Sequence, residues 1–262
     1  MPEVTYERQG AAAVIAIDRP ERRNAVDPAT ADQLLAAYRE FESDEDSRIL
    51  VLTGTGEEAF CAGADLKSVA AAMDDQEIAA QWLKPRPEGP LGFTRLTASK
   101  PTIAAISGYA LAGGLELALW CDLRVGTETA KLGFPERRWG VPLIDGGTQR
   151  LPRIVGMGRA LDLILTGRIV GAEEALAMGL LTEVVPPGKH LDRALEMAEG
   201  LAAFPQETML ADRRSALEGS GLPLDQGLAR EAEIGGAVSG VGVKGAARFA
   251  AGEGRGGKGA GV

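Results

Sequence analysis

Histidine is nearly absent from this chain of 262 residues: His190 is the only one. A Ser-His-Asp or Cys-His site would have to use it. It follows Pro187-Gly188-Lys189, in what reads as a turn into a helix, where a surface imidazole is the ordinary outcome. Cysteine is almost as scarce. Cys61 and Cys121 form no CxxC pattern, so neither a multi-bridge disulfide framework nor a Cys/His metal site is expected. Two unpaired thiols fit a reduced, cytoplasmic setting. No apolar run approaches the roughly 20 residues of a membrane helix. The start, Met1 to Arg8, lacks the basic-then-apolar pattern of a secretory leader. No membrane partner is therefore expected. Basic runs are missing as well, and the net charge of -9 argues against nucleic acid as a partner. Chemistry in such a chain has to run on carboxylates and backbone groups.

What is present is a regular alternation of short apolar runs and helical patterns. Val4 to Arg8 and Ala11 to Ile17 read as a hairpin turning at Gln9-Gly10. Asp27-Pro28 supplies a cap and a first-turn proline for a helix that runs to about Glu42. Ile49 to Leu52, Thr102 to Ile106, Asp122 to Val125 and Thr182 to Val185 read as strands. Gly113 to Trp120, Arg159 to Leu165 and Ala172 to Met178 read as helices. This order predicts an α/β layered core over residues 1–200. Beyond Leu191 the strand signal stops, so residues 201–262 are expected to form a helical C-terminal region ending in a fraying glycine-rich tail, Gly252 to Val262. Between Asp74 and Lys100 a helical start is broken by Pro85, Pro87, Gly89 and Pro90. That segment reads either as a mobile cover over a site or as a plain surface loop. Phe60, Trp82, Phe93, Tyr109, Phe134 and Trp139 are read as core aromatics unless a pocket claims them.

Two glutamates stand where a solvated carboxylate is least expected. Glu116 is the only ionisable group in Leu111-Ala112-Gly113-Gly114-Leu115-Glu116-Leu117-Ala118-Leu119-Trp120, and Glu136 follows Leu132-Gly133-Phe134-Pro135. A carboxylate inside an apolar segment must be paired, hydrogen-bonded or protonated. Two such groups near one glycine turn suggest an acid and a base in one pocket. Two glycine motifs accompany them. In Phe60-Cys61-Ala62-Gly63-Ala64-Asp65-Leu66-Lys67, small side chains leave the Ala64 N–H unshielded, and Asp65 is a good cap for a helix beginning at Leu66. In Gly108 to Glu116, consecutive glycines before a helix expose backbone N–H groups at its positive end. Two N–H groups converging on one oxygen would make an oxyanion hole.

Together these motifs resemble the crotonase superfamily, which includes enoyl-CoA hydratases and isomerases. The resemblance spans nearly the whole chain: Arg19-Pro20, Asn24-Ala25, both glycine motifs, Pro135-Glu136 and Gly146-Gly147-Thr148-Gln149-Arg150-Leu151 occur in order. It implies a crotonase-like ββα spiral core with a helical C-terminal region that mediates homotrimer formation, often stacked as a dimer of trimers. It implies an acyl-CoA thioester substrate, with coenzyme A carried by the substrate and no separate cofactor. By motif position, the amides of Ala64 and Gly113 would bind the thioester oxygen, and Glu116 and Glu136 fall on the two catalytic glutamates of the hydratases. Ala62, Asp65 and Leu66 lie in the stretch that contacts the adenine end of CoA through its backbone. Arg22, Arg23 and Ala25 lie in the loop that helps hold CoA.

One departure stands out. Many hydratases carry Pro-Gly-Ala before Gly-Gly-Thr-Gln-Arg, where this chain has Leu143-Ile144-Asp145. Ile144 adds a branched side chain and Asp145 a third carboxylate near the reacting atoms. The expected reaction is reversible water addition to a 2-enoyl-CoA. Isomerisation, decarboxylation and thioester hydrolysis are the alternatives that this loop keeps open. Arg137-Arg138 reads as a solvated or intersubunit patch within possible reach of a CoA phosphate.

Overall fold

A computed structural model describes residues 2–252 of the chain. The tail expected to fray lies, beyond Gly252, outside the described residues.

The strands are dealt alternately to two sheets. β1 (Val4–Gln9), β2 (Ala12–Ile17) and β3 (Ile49–Gly54) enter the first sheet, and β4 (Ala59–Cys61) opens the second. β5 (Thr102–Ile106) returns to the first and β6 (Tyr109–Leu111) to the second; β7 (Leu123–Thr127) and β8 (Lys131–Gly133) repeat the step. β9 (Ile169–Gly171) then joins the second sheet and β10 (Glu183–Val185) the first. The first sheet has the order β1-β2-β3-β5-β7-β10, antiparallel only at its β1-β2 hairpin. The second has the order β4-β6-β8-β9, antiparallel only at β8-β9. Helices fill the returns. α1 (Pro28–Ser43) follows β2, α2 (Leu66–Ala71) and α3 (Gln76–Leu83) follow β4, and α4 (Gly113–Trp120) follows β6. α5 (Gly147–Val155) and α6 (Met157–Thr166) follow β8, and α7 (Ala172–Ala177) follows β9. α8 (His190–Ala203), α9 (Gln206–Gly219), α10 (Leu224–Ala237) and α11 (Ser239–Ala250) close the described chain. This is the ββα spiral with a helical C-terminal region.

The inner strands β2, β3 and β5 of the first sheet are buried on both faces, which is why they read as unbroken apolar runs, whereas the edge strand β1 is largely exposed. Alternate residues still separate cleanly. Ile15, Ile17, Leu50, Leu52, Ala104 and Ile106 face the main core, with α1 and α4. Val14, Ile49, Val51, Ile103 and Ala105 face the other way, onto Ala194, Ala198 and Ala202 of α8. Those alanines recur every fourth residue, so α8 lies close against the sheet. It ends at Ala203, just past the expected division at residue 200. His190, at its first turn, is buried rather than on the surface, and its Nδ1 has no hydrogen-bond partner; burial lowers its pKa.

The segment from Asp74 to Lys100 is not a plain surface loop. Its first part forms α3, capped by the Asp75 carboxylate. In its second part Leu91, Phe93, Thr94 and Ala98 are buried, and Trp82, Lys84, Arg86, Pro90, Leu91 and Arg95 of the segment wall a cavity, as a cover over a site would. Phe93 stacks on Tyr38 at 5.2 Å between ring centres and meets Trp120 edge-on at 4.5 Å. The proline-rich run therefore anchors the core under α4. Phe60 and Phe134 are also fully buried, whereas Trp139 is 75% exposed, against the core placement expected for it. Among the described residues, no helix is long and apolar enough to cross a membrane.

Candidate active site

The site begins where β4 and β6 run side by side and each turns into a helix. Glycine is required at both turns by contact. A Cβ on Gly114 would lie 1.9 Å from the Cys61 carbonyl oxygen, so only glycine lets the start of α4 rest on β4. Gly63 has φ +89°, and a Cβ there would sit 2.8 Å from the Gly113 nitrogen. The two turns thus touch, bringing the Ala64 and Gly113 motifs together. Neither amide donates to another group among the described residues. Ala112, the residue before α4, has φ 53°, a conformation that costs about 1–3 kcal/mol outside glycine and that clusters at active sites.

The loop from Arg19 to Val26 is laced onto the first motif. Ala62 N–H donates to Arg23 O, Val26 N–H to Gly63 O, and Asp65 N–H to Val26 O, at 2.8–3.0 Å. Buried Arg19 pins the arrangement through Glu3 (3.2 Å), Asp27 (3.0 Å) and Asp65 (3.4 Å). Asn24, wholly buried, accepts from the Arg19 amide and donates to the Thr55 and Ala59 carbonyls. Arg19 and Asn24 therefore build the loop. Arg22 and Arg23 are exposed beside it, and Ala25 is buried with its carbonyl accepting from Arg19 Nη1. None of these three borders the cavity. The Asp65 carboxylate is likewise spent on Arg19 and on the Lys67 and Ser68 amides that it caps.

Ala62, Ala64, Leu66, Gly113, Glu116 and Glu136 all border one cavity of about 300 Å³. Glu116 is 3% exposed and Glu136 6%. Glu116, which lines the cavity, accepts on Oε1 from the Gly147 amide at 2.7 Å and the Asp145 amide at 3.0 Å, and its Oε2 makes no hydrogen bond among the described residues. Burial pushes the Glu116 carboxyl up to about 7. The two amides oppose that rise, and the neighbouring Asp145 and Glu136 charges add to it. Glu136, on the 3-10 turn Pro135–Trp139, is also pushed up to about 7 by burial, against the pull of its own amide dipole and the Arg137 charge. Among the described residues, neither of its oxygens has a hydrogen-bond partner.

The departing loop is part of this wall. Asp145 is buried, and its carboxylate accepts from the Leu91 amide (3.0 Å) and the Thr94 hydroxyl. Burial raises its pKa. Its own amide holds Glu116, so it ties the Phe93 segment to the candidate acid–base pair. Arg150 supports the same turn, donating to the Asp145 carbonyl at 2.9 Å and the Thr94 carbonyl at 2.6 Å. Leu91 and Thr94 were not legible as site-builders, since nothing local marks a residue that acts through its amide or hydroxyl on a distant loop. Ile144 is 50% exposed and lines the cavity edge. Arg137 and Arg138 are exposed and do not border the cavity.

The Enoyl-CoA hydratase/isomerase family model matches residues 7–234. An (E)-benzylidenesuccinyl-CoA hydratase of Thauera aromatica is 37% identical, covering 86% of each chain. A short-chain-enoyl-CoA hydratase of Clostridium acetobutylicum is 36% identical, covering 88% of this chain and 87% of its own. The crystal structure of an enoyl-CoA hydratase from Mycobacterium marinum superposes with a TM-score of 0.84 at 35% identity, covering 95% of this chain and 96% of that one. With the match running from the first strand to α10, through both glycine turns and both glutamates, the chain belongs to the enoyl-CoA hydratase/isomerase family, within the crotonase superfamily.

Proposed function

We propose that this protein is an enzyme that adds water reversibly across the double bond of a 2-enoyl-CoA. The observation that carries this reading is one cavity bordered by two buried glutamates and by the turns of Ala64 and Gly113, whose amides are unpartnered. Those amides would receive the thioester oxygen, where charge builds as C3 is attacked. Removing one such donor typically costs about 2.7–4 kcal/mol of transition-state stabilisation. Glu116, its Oε1 fixed by two amides, would use Oε2 to hold a water and take its proton as the oxygen bonds to C3. Two N–H donors favour its charged form. Glu136, whose oxygens have no hydrogen-bond partner among the described residues, would carry the proton shared by the pair and pass it to C2. Hydration regenerates the pair with the proton moved from one glutamate to the other. Relatives named as hydratases of related thioesters support the reading.

Coenzyme A arrives as part of the substrate, and the acid–base chemistry calls on no separate cofactor. The backbone at Ala62, Asp65 and Leu66 would meet its adenine end, with Ala25 in the adjoining loop and Arg22 and Arg23 exposed to reach its phosphates. Assembly as a homotrimer or stacked trimers would cover Leu224, Leu228, Val243 and Phe249, which are exposed on α10 and α11. Unpaired, buried Cys61 and Cys121 fit work in the cytoplasm. The test is hydration of crotonyl-CoA by wild type, Glu116→Gln and Glu136→Gln. Loss in both variants supports the roles given; retained hydration in either removes that residue. Double-bond migration that survives Glu116→Gln would mark an isomerase instead.

A further inference from the structure

The acyl end of the cavity does not close on apolar side chains alone. Leu143, Ile144 and Arg95 line both the catalytic cavity and a second, open cavity of about 590 Å³. Besides Arg95, that second cavity is walled by Arg150 and Arg153, and no acidic side chain lines it. Among the described residues, no carboxylate lies within 4.0 Å of any of these three guanidinium groups, although Arg8, Arg23, Arg39, Arg168 and Arg230 are paired with carboxylates elsewhere on the molecule. Asp145 and Glu116 are the carboxylates that act on these arginines through space, but both line the catalytic cavity instead, and the Asp145 carboxylate accepts from the Leu91 amide and the Thr94 hydroxyl. Arg150 is fixed on the Asp145 and Thr94 carbonyls and Arg153 on the Gln149 carbonyl at 2.5 Å. Arg95 makes only one long hydrogen bond, 3.3 Å to the Ile144 carbonyl, and beyond that only a through-space attraction to Asp145. Its position follows from the chain: Ile144 precedes Asp145, whose amide holds Glu116. A guanidinium free to make two parallel bonds therefore stands one residue beyond the group that anchors a candidate acid–base carboxylate.

We propose that the preferred substrate is a 2-enoyl-CoA whose acyl group carries a second carboxylate, received by Arg95 with the fields of Arg150 and Arg153 behind it. The apolar carbons pass between Leu143 and Ile144, and the planar guanidinium binds the carboxylate bidentately. This rests on the thioester reading of the site and adds the class of acyl group. The departure from the family's Pro-Gly-Ala thereby acquires a use, since Leu143 and Ile144 line both cavities.

The test compares kcat/KM for a series of 2-enedioyl-CoA thioesters with 2-enoyl-CoA thioesters of matched length, in wild type, Arg95→Met and Arg95→Lys. Wild type should favour the carboxylated member by about tenfold or more at low salt, the scale of a charge-assisted hydrogen bond. That ratio should shrink as salt rises, collapse towards one in Arg95→Met and partly survive in Arg95→Lys. Binding of glutaryl-CoA and butyryl-CoA, which cannot be hydrated, is measured by calorimetry alongside. A preference in binding without any hydration would sink the proposed reaction but keep this site. Hydration with no preference for the carboxylated substrates, or a preference that Arg95→Met leaves intact, would overturn the inference.

Discussion

The two sides of the cavity bury a glutamate to nearly the same depth and treat it in opposite ways. On the α4 side, Glu116 is wired: two amides from the turn at 145–147 grip one oxygen. On the side of the 3-10 turn, Glu136 is bare, with neither oxygen hydrogen-bonded. Burial is the largest cause of the rise of each carboxyl to about 7, and the amide bonds of Glu116 are already counted there, so neither burial nor the pKa assigns the roles. What separates the two is geometry: two amides fix one oxygen of Glu116 in place, and neither oxygen of Glu136 has such a grip among the described residues.

The largest test of that comparison is to remove each carboxylate's charge while keeping its shape. Glutamine at 116 can still accept from both amides through its carbonyl oxygen, so Glu116→Gln isolates the loss of the base. Each Glu→Gln variant should lose about 10²–10⁴-fold in kcat on an enoyl-CoA, the usual scale of acid–base assistance. In wild type the pair needs one proton and not two, so kcat/KM should trace a bell centred near pH 7. A flat profile between pH 6 and 8 would contradict shared titration.

A smaller change attacks the wiring. A Cβ on Gly147 would lie 3.0 Å from Cγ and Oε1 of Glu116 and 3.0 Å from Cζ of buried Phe134. Gly147→Ala should therefore shift the Glu116 carboxylate and press on the core beside it. A misplacement approaching 1 Å can cost about 10²-fold, so a fall in kcat of roughly ten- to a hundredfold is expected, with a lowered melting temperature from the Phe134 contact. Unchanged kcat would show that the Gly147 amide does not position the base.

The same contrast marks what could be read in the sequence. Glu116 was legible because seven apolar or small neighbours surround it in a helix too apolar to face water. The inner strands of the first sheet were legible for the same reason, being runs buried on both faces. The three-residue strands β4, β6, β8 and β9 were not, since three residues carry no period. α5 hid behind Pro152, which ordinarily breaks a helix but here sits inside one of nine residues. The proline-rich run was legible in part: turn residues at 85–90 left cover and surface loop open, while Leu91 and Phe93 just beyond them enter the core. His190 misled because a lone polar residue at a helix start says nothing about the neighbouring elements that cover it. The site's wiring escaped sequence reading altogether, because Gly147, Asp145 and Leu91 act on Glu116, Thr94 and each other through amides, which every residue has.

A bare buried carboxyl also has a cost in stability. Its folded pKa, about 7, exceeds the ordinary glutamate value of 4.5, so between those values the folded protein holds more protons than the unfolded chain. Stability contributed by that proton is full below pH 4.5 and declines as pH rises through 7. Glu136→Gln should therefore stabilise the protein at pH 8 relative to pH 4.5, by on the order of 1–3 kcal/mol. Thermal melts of wild type and variant at the two pH values measure this. Equal shifts at both would mean that Glu136 is better solvated than its 6% exposure implies.

The smallest expected effect comes from Asp145→Asn, and it is the one that reaches the wired side through charge alone. Both bonds made by the Asp145 side chain, from the Leu91 amide and the Thr94 hydroxyl, end on Oδ1, and an asparagine carbonyl can accept both. The amide that holds Glu116 belongs to the backbone and survives the substitution. What disappears is a neighbouring negative charge that raises the Glu116 pKa. The acidic limb of the kcat/KM profile should move to lower pH, and the basic limb should move less, because the two glutamates titrate as a pair and Asp145 is not among the groups that shift Glu136 directly. Movement of both limbs by the same amount would show that removing this charge acts on the pair as a whole and not through the wired side.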